Sequence, residues 1–172
     1  MKLEDILSIE KWTELEKEIS TTFGLNASVC DENGIRITGF KKWANRLCPV
    51  IQANEKGQNF ICAVANQSIA LHAKRTRKPV IAECDAGLLK LVVPVFVDDK
   101  FLGVCSGCGL LMDGGSVETF LIIITTGIDI DKIASVSNDI AKIERDRVEL
   151  IVGYLENRVD GIIENFINSS RF

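Results

Sequence analysis

Apolar positions fall into two periods along the chain, and the change from one to the other marks out its elements. Residues 3–23 place Leu3, Ile6, Leu7, Trp12, Leu15, Ile19 and Phe23 three to five apart. That is the spacing of a helix with one buried face, and Gly24 ends it. Leu25, Ala27 and Val29 then alternate with Asn26, Ser28 and Cys30, the pattern of a half-buried strand. Asp31-Glu32-Asn33-Gly34 follows. Asn-Gly accepts the positive φ angles of a tight hairpin turn, so residues 35–38 are predicted to return as the partner strand. Residues 40–55 show no regular period and read as an irregular connection. Over residues 56–77 the helical period is strong: Phe60, Ile61, Val64, Ala65, Ile69, Leu71 and His72 fall on one broad face, with Asn59, Asn66, Lys74 and Arg77 opposite.

Three extended pieces come next, over 79–84, 88–97 and 101–112, joined by turns at Asp85-Ala86-Gly87 and Asp98-Asp99-Lys100. The middle one is almost wholly apolar, as suits the centre of a sheet, and Pro94 marks a bulge or an edge position. Residues 116–136 read as two short helices around Thr126-Gly127. From Asn138 a longer helix is predicted to the C-terminus, with Ile140, Ile143, Ile151, Leu155, Val159, Ile162 and Phe166 along one seam. The expected fold is α+β: an antiparallel sheet of about five strands with a flanking helix, an N-terminal helix and a C-terminal helical segment. Residues 1–115 are expected to form the core, and 116–172 a helical extension that packs on it or pairs with a second copy as a homodimer.

A chain of 172 residues suits one domain with a real core. Apolar runs such as 120–124 fall far short of the roughly 20 residues of a membrane span. The N-terminus lacks the basic start and unbroken apolar stretch of a secretory signal, so a cytoplasmic location without membrane attachment is expected. Net charge is −4, which argues against direct nucleic-acid binding, because phosphate neutralisation needs a basic face. The one basic stretch, Lys74-Arg75-Thr76-Arg77-Lys78, closes a helix, where cations complement the free carbonyls. Catalytic machinery is scarce. His72 is the only histidine, and Gly103, Gly107 and Gly109 lie in a strand-like stretch and open no helix, as a phosphate loop would require. No nucleophile elbow or zincin motif is present. The chain is expected not to be an enzyme.

Six cysteines remain. In a reducing compartment they are either buried small hydrophobes or thiolates gathered on a metal. Cys48 precedes a proline in a loop, Cys62 borders a helix face, and Cys84 ends a strand at a tight turn. Cys105 and Cys108 form a CxxC inside a strand. Cys30 alternates with the buried residues of the first strand and is set aside as facing away from the core. Strand residues three apart point to opposite faces, so Cys105 and Cys108 converge only if the strand bulges near Gly107 and Gly109; otherwise one of them joins a cluster. The candidate metal ligands are therefore Cys48, Cys62, Cys84, Cys105 and Cys108, on zinc or an iron–sulfur cluster.

The stretch from Leu47 to Leu111 resembles the PocR sensory domain. The resemblance is carried by Cys48-Pro49-Val50-Ile51, Cys62 in its helix, Lys78-Pro79-Val80 leading to Cys84-Asp85-Ala86-Gly87-Leu88, Val93-Pro94-Val95, and Phe101-Leu102-Gly103. The N-terminal helix and the DENG turn fit as well, and the likeness fades beyond about Gly115. It implies a PAS-like fold and a sensor module, of a kind joined to kinase or transcription-regulator output partners, that binds small hydrocarbon derivatives such as short diols. The family carries cysteines at the positions of Cys48, Cys62 and Cys84. Two departures stand out: Asp85 where the family often has histidine, and Cys108-Gly109-Leu110 where it tends to have Gly-Gln. The second supplies a possible fourth thiolate, giving Cys48, Cys62, Cys84 and Cys108 as the cofactor-binding set, and it also raises the prospect of a rebuilt ligand pocket. Three functional expectations follow: a small-ligand sensor with its pocket between the sheet and the 56–77 helix, a redox or metal sensor without an organic ligand, and, disfavoured by the lack of acid–base residues, a metal-dependent enzyme.

Overall fold

A computed structural model describes residues 1–170. The first predicted helix is two: α1 (Leu3–Ile6) and α2 (Ile9–Phe23). They separate because the Ser8 hydroxyl accepts from the Lys11 N–H at 3.4 Å and caps a new helix. Strand β1 (Asn26–Asp31) follows. The turn after it forms, with the Asp31 carboxylate accepting from the N–H groups of Asn33 and Ile35 at 2.9 Å each. The predicted return strand does not. Only a single bridge, Cys30 to Arg36, forms on the free edge of β1, flanked by hydrogen bonds from Asp31 N–H to the Ile35 carbonyl (2.8 Å) and from Ile37 N–H to the Val29 carbonyl (3.0 Å). Arg36 and Thr38 turn toward Glu16, which is fully buried. Its carboxylate accepts from the Val29 N–H (2.8 Å) and the Thr38 hydroxyl (2.7 Å). Burial raises its pKa against the pull of those partners.

The stretch without a period holds α3 (Leu47–Ala53) and the single turn α4 (Glu55–Gly57). A Cβ on Gly57 would sit 2.3 Å from the Ile51 carbonyl oxygen, so only glycine lets these two turns stack. The helical path continues through a π-turn, Gln58–Cys62, into α5 (Ala63–Thr76). The wider π-turn shifts the helical phase. Phe60, Val64 and Leu71, predicted to be buried, are exposed, as is His72, and the covered stripe narrows to Ile61, Ile69, Ala70 and Ala73.

Strands β2 (Val80–Glu83), β3 (Leu89–Val97) and β4 (Lys100–Cys108) complete an antiparallel sheet in the order β1-β4-β3-β2. Pro94 lies just past the end of the β2 pairing at Val80↔Val92, where β3 loses one neighbour and a missing N–H does least harm. Beyond it Val95 pairs Gly103 while Phe96 pairs Phe101, which leaves Leu102 as the extra residue of a bulge. A second, two-stranded parallel sheet joins β5 (Leu111–Met112) to β6 (Lys142–Ile143), on either side of α6 (Thr119–Thr126) and α7 (Ile130–Ser137). Because residues 142–143 are taken up in β6, the last helix, α8 (Arg145–Ser169), starts later than Asn138.

The sheet has two unlike faces. Ala27, Val29, Leu89, Leu91, Val93, Val95 and Cys105 point to one, where α1, α2 and α8 seal a core around Trp12, Leu15, Ile19, Ile151 and Leu155. Alternate residues, Cys30, Val92 and Val104 among them, point to the other, under α5. A third cluster joins Leu47, Ile51, Ile61 and Leu88 to Ile122, Ile133 and Ile140. Residues on both sides of Gly115 thus share cores. Among the described residues no helix is long and apolar enough to cross a membrane.

Candidate functional site

Beneath α5 the second sheet face is not fully filled. A cavity of about 250 Å³ opens there, bounded by β1, β4 and β3 below, the π-turn and start of α5 above, and α3 with the 84–88 turn at its side. The pairing Asn26↔Cys108↔Lys90 sets three polar side chains in one cross-strand row along its floor. Ser28 and Ser106 form the next row, their hydroxyls 2.7 Å apart. Arg36, Lys41, Trp43, Gln52, Gln58 and Asn66 also border the space.

Besides Cys30 of β1, four cysteines from four further segments meet this cavity: Cys48, Cys62, Cys84 and Cys108. Each is held by its local structure. Cys48 sits in the first turn of α3, where its N–H donates to Asn45 Oδ1 (2.7 Å) and its sulfur accepts from Asn45 Nδ2 (3.2 Å). The same Nδ2 donates to the Gly109 carbonyl at 2.6 Å, tying α3 to the end of β4. Gly109 has φ 101, and a Cβ there would meet the Ala44 Cβ at 2.8 Å, so glycine permits this close approach. Cys62 closes the π-turn. Cys84 opens the tight turn, its N–H donating to the Leu88 carbonyl at 2.9 Å and its own carbonyl accepting from Gly87 at 2.8 Å. Cys108 ends β4, with Asn26 Nδ2 3.9 Å from its sulfur.

Cys105 is elsewhere. The pairing of β4 runs unbroken from Gly103 to Cys108 against both neighbours, and the bulge lies at Leu102, not at the CxxC. Period two therefore sends Cys105 into the dry core, fully buried, and it leaves the candidate set. Cys30 does face away from that core, but the face it joins is covered by α5, so it is buried and borders the cavity.

Burial sets the thiol chemistry. Cys48 is pushed well above the ordinary thiol range by burial and then by the charge of Cys108, with Asn45 opposing. Cys62 is pushed up to about 11 by burial, Cys84 and Cys108, against the pull of Lys90 and Lys41. Cys84 is raised for the same first reason. At neutral pH these thiols are protonated and poorly nucleophilic. Among the described residues no three His, Cys, Asp or Glu side chains gather closely enough to hold one metal ion. As a donor set, four thiols suit zinc or an iron–sulfur cluster.

The polar residues of the floor and rim were not singled out by sequence reasoning. Lys90 did carry a signal: it is the only charged residue in the apolar run 88–97. Asn26 and Ser28 read only as the polar positions of an alternating strand, and the rest sit on loops and helix faces with no distinguishing pattern.

No curated protein and no solved structure matches the chain. A family model described as the sensory domain found in PocR matches residues 5–166, carrying on past Gly115 through most of α8. The four-stranded sheet, the helix that roofs its polar face and nearly the whole length thus fall within one match, and the chain belongs to the family of sensory domains found in PocR.

Proposed function

We propose that this chain is a cytoplasmic, non-enzymatic sensory domain whose ligand site is the cavity beneath α5. One observation carries the reading: polar and thiol side chains from β1, β3, β4, α3 and the π-turn converge on a single enclosed space, whereas the opposite sheet face is packed dry. A volume of about 250 Å³ lies below the 300–1,000 Å³ typical of pockets for drug-sized molecules. The ligand is a molecule of a few heavy atoms, and short diols are the class the resemblance suggests. A π-turn bordering the space supports the reading, since such turns recur at functional sites. His72 stands on the exposed side of α5 and takes no part. The signal passes through α8, either to a second copy or to a kinase or transcription-regulator partner. A thermal-shift screen of short diols, alcohols and acids tests the site, because a ligand that prefers the folded state raises its apparent stability. Failure of every compound overturns it.

The convergence of four thiols favours a second reading, in which Cys48, Cys62, Cys84 and Cys108 hold a metal centre and the domain responds to redox state or metal supply. The donor set is that of an iron–sulfur cluster or of zinc, and a cluster, when bound, would supply one-electron chemistry. Iron, sulfide and zinc analysis after anaerobic purification tests it. Cys48→Ala and Cys84→Ala are expected to lose the metal and Cys30→Ala and Cys105→Ala to keep it; equal loss in all four overturns the assignment.

A further inference from the structure

The cavity is lined by three cations, Lys90, Arg36 and Lys41, and by no carboxylate. Lys90 is the most telling. It lies in β3 between the buried Leu89 and Leu91, is only 6% exposed, and enters none of the ion pairs among the described residues. Its row with Cys108 and Asn26 turns its ammonium to the cavity floor. A buried ammonium without a counter-charge is strongly unfavourable, and folds tolerate one chiefly where a partner arrives.

Two further polar groups wait in the same place. Arg36 Nε is buried without a hydrogen-bond partner, as is Asn26 Oδ1. The outer guanidinium of Arg36 reaches the Ala27 carbonyl and, at 3.5 Å, Glu16, whose oxygens are already taken by Val29 and Thr38. Lys41 stands at the mouth, its Nζ 2.5 Å from Gln52 Oε1 and 5.3 Å from the centre of the Trp43 ring. Donors at the floor call for an anion, and the free acceptor on Asn26 calls for a hydroxyl or amide hydrogen beside it.

We propose that the molecule sensed in this cavity is a short hydroxy-carboxylate, its carboxylate on Lys90 with Arg36 alongside, its hydroxyl donating to Asn26 and its carbon chain against Ala65 and Leu88. The assignment rests on the cavity being the sensory site and replaces the neutral diol with an anion of the same size. Lys90 is the residue that selects charge.

Three probes with one carbon skeleton test it: lactate, lactamide and propane-1,2-diol, measured by thermal shift and calorimetric titration on the full chain. Lactate is expected to bind saturably and at least tenfold more tightly than either neutral compound. Lys90→Met removes that preference, weakening lactate at least tenfold while leaving the helical circular-dichroism signal intact. Lys90→Arg keeps the preference for the anion. Tighter binding of propane-1,2-diol or lactamide overturns the anion while leaving the pocket standing, and silence from all three removes both. A protein that carries stoichiometric iron or zinc on its cysteines and ignores lactate also overturns it, assigning the cations to the charge of the thiolate centre.

Discussion

The two faces of the central sheet are built from alternate residues of the same strands, yet they do opposite work. On one, Leu89, Leu91, Val93 and Val95 meet two long helices and pack into the largest apolar cluster. On the other, Lys90, Cys108, Asn26 and Ser28 meet a roof broken by a π-turn and two short helices, and space remains. Regular helices interdigitate with a pleated face at close to crystal density. A roof assembled from short pieces at differing phases does not, and a cavity remains. Cys105 and Cys108 show the rule within one motif: three residues apart, one is an inert core filler and the other a cavity wall.

If the faces differ as described, truncation should separate them sharply. Leu91→Ala on the packed face is expected to destabilise by about 2–5 kcal/mol in urea unfolding, the range for a buried leucine with limited relaxation. Asn26→Ala on the cavity face, whose Oδ1 has no partner, should cost about 1 kcal/mol or less. Comparable losses would erase the distinction.

High pH gives a second, intermediate contrast. Burial raises Cys105 to about 12 and Cys62 to about 11 in the folded chain, against an ordinary value of 9.0. The unfolded thiols ionise first, so their contribution to stability is complete below pH 9 and falls away as pH rises through the folded values. Urea midpoints should be nearly flat with respect to these thiols below that point and then decline. Cys105→Ala should flatten the decline more than Cys62→Ala; the reverse order would place the drier environment on the wrong face.

The smallest effect belongs to the outer layer of the packed face. Arg158 of α8 clasps Glu18 of α2 through two hydrogen bonds, at 3.1 and 2.9 Å, on the surface. Glu18→Gln is expected to cost no more than about 1 kcal/mol, and less as salt is added. A loss rivalling that of Leu91→Ala would mean that α8 is held by charge and not by its buried seam.

Much of this was legible beforehand, for local reasons. Helical and strand periods located α2, α5, β1, β3 and β4, and parity along β4 already said that Cys105 and Cys108 part company unless the strand bulges. The errors were of partnership. The 35–38 segment had a good turn before it, but past one bridge on the free edge of β1 it turns Arg36 and Thr38 to the buried Glu16. The 138–144 segment had apolar spacing for a helix, but β5 drew residues 142–143 into a strand.

By itself, then, the order of residues determined the longer helices and strands and, along each strand, which side chains share a face, since both follow from backbone geometry acting over a few neighbours. Only the tertiary structure decided which face is sealed and which is left open. It alone brought the sulfurs of Cys48, Cys62, Cys84 and Cys108 to one cavity and left Lys90 beneath α5 without a counter-charge. Those outcomes depend on how rigid elements far apart in the chain fit against one another, and no local period encodes that fit.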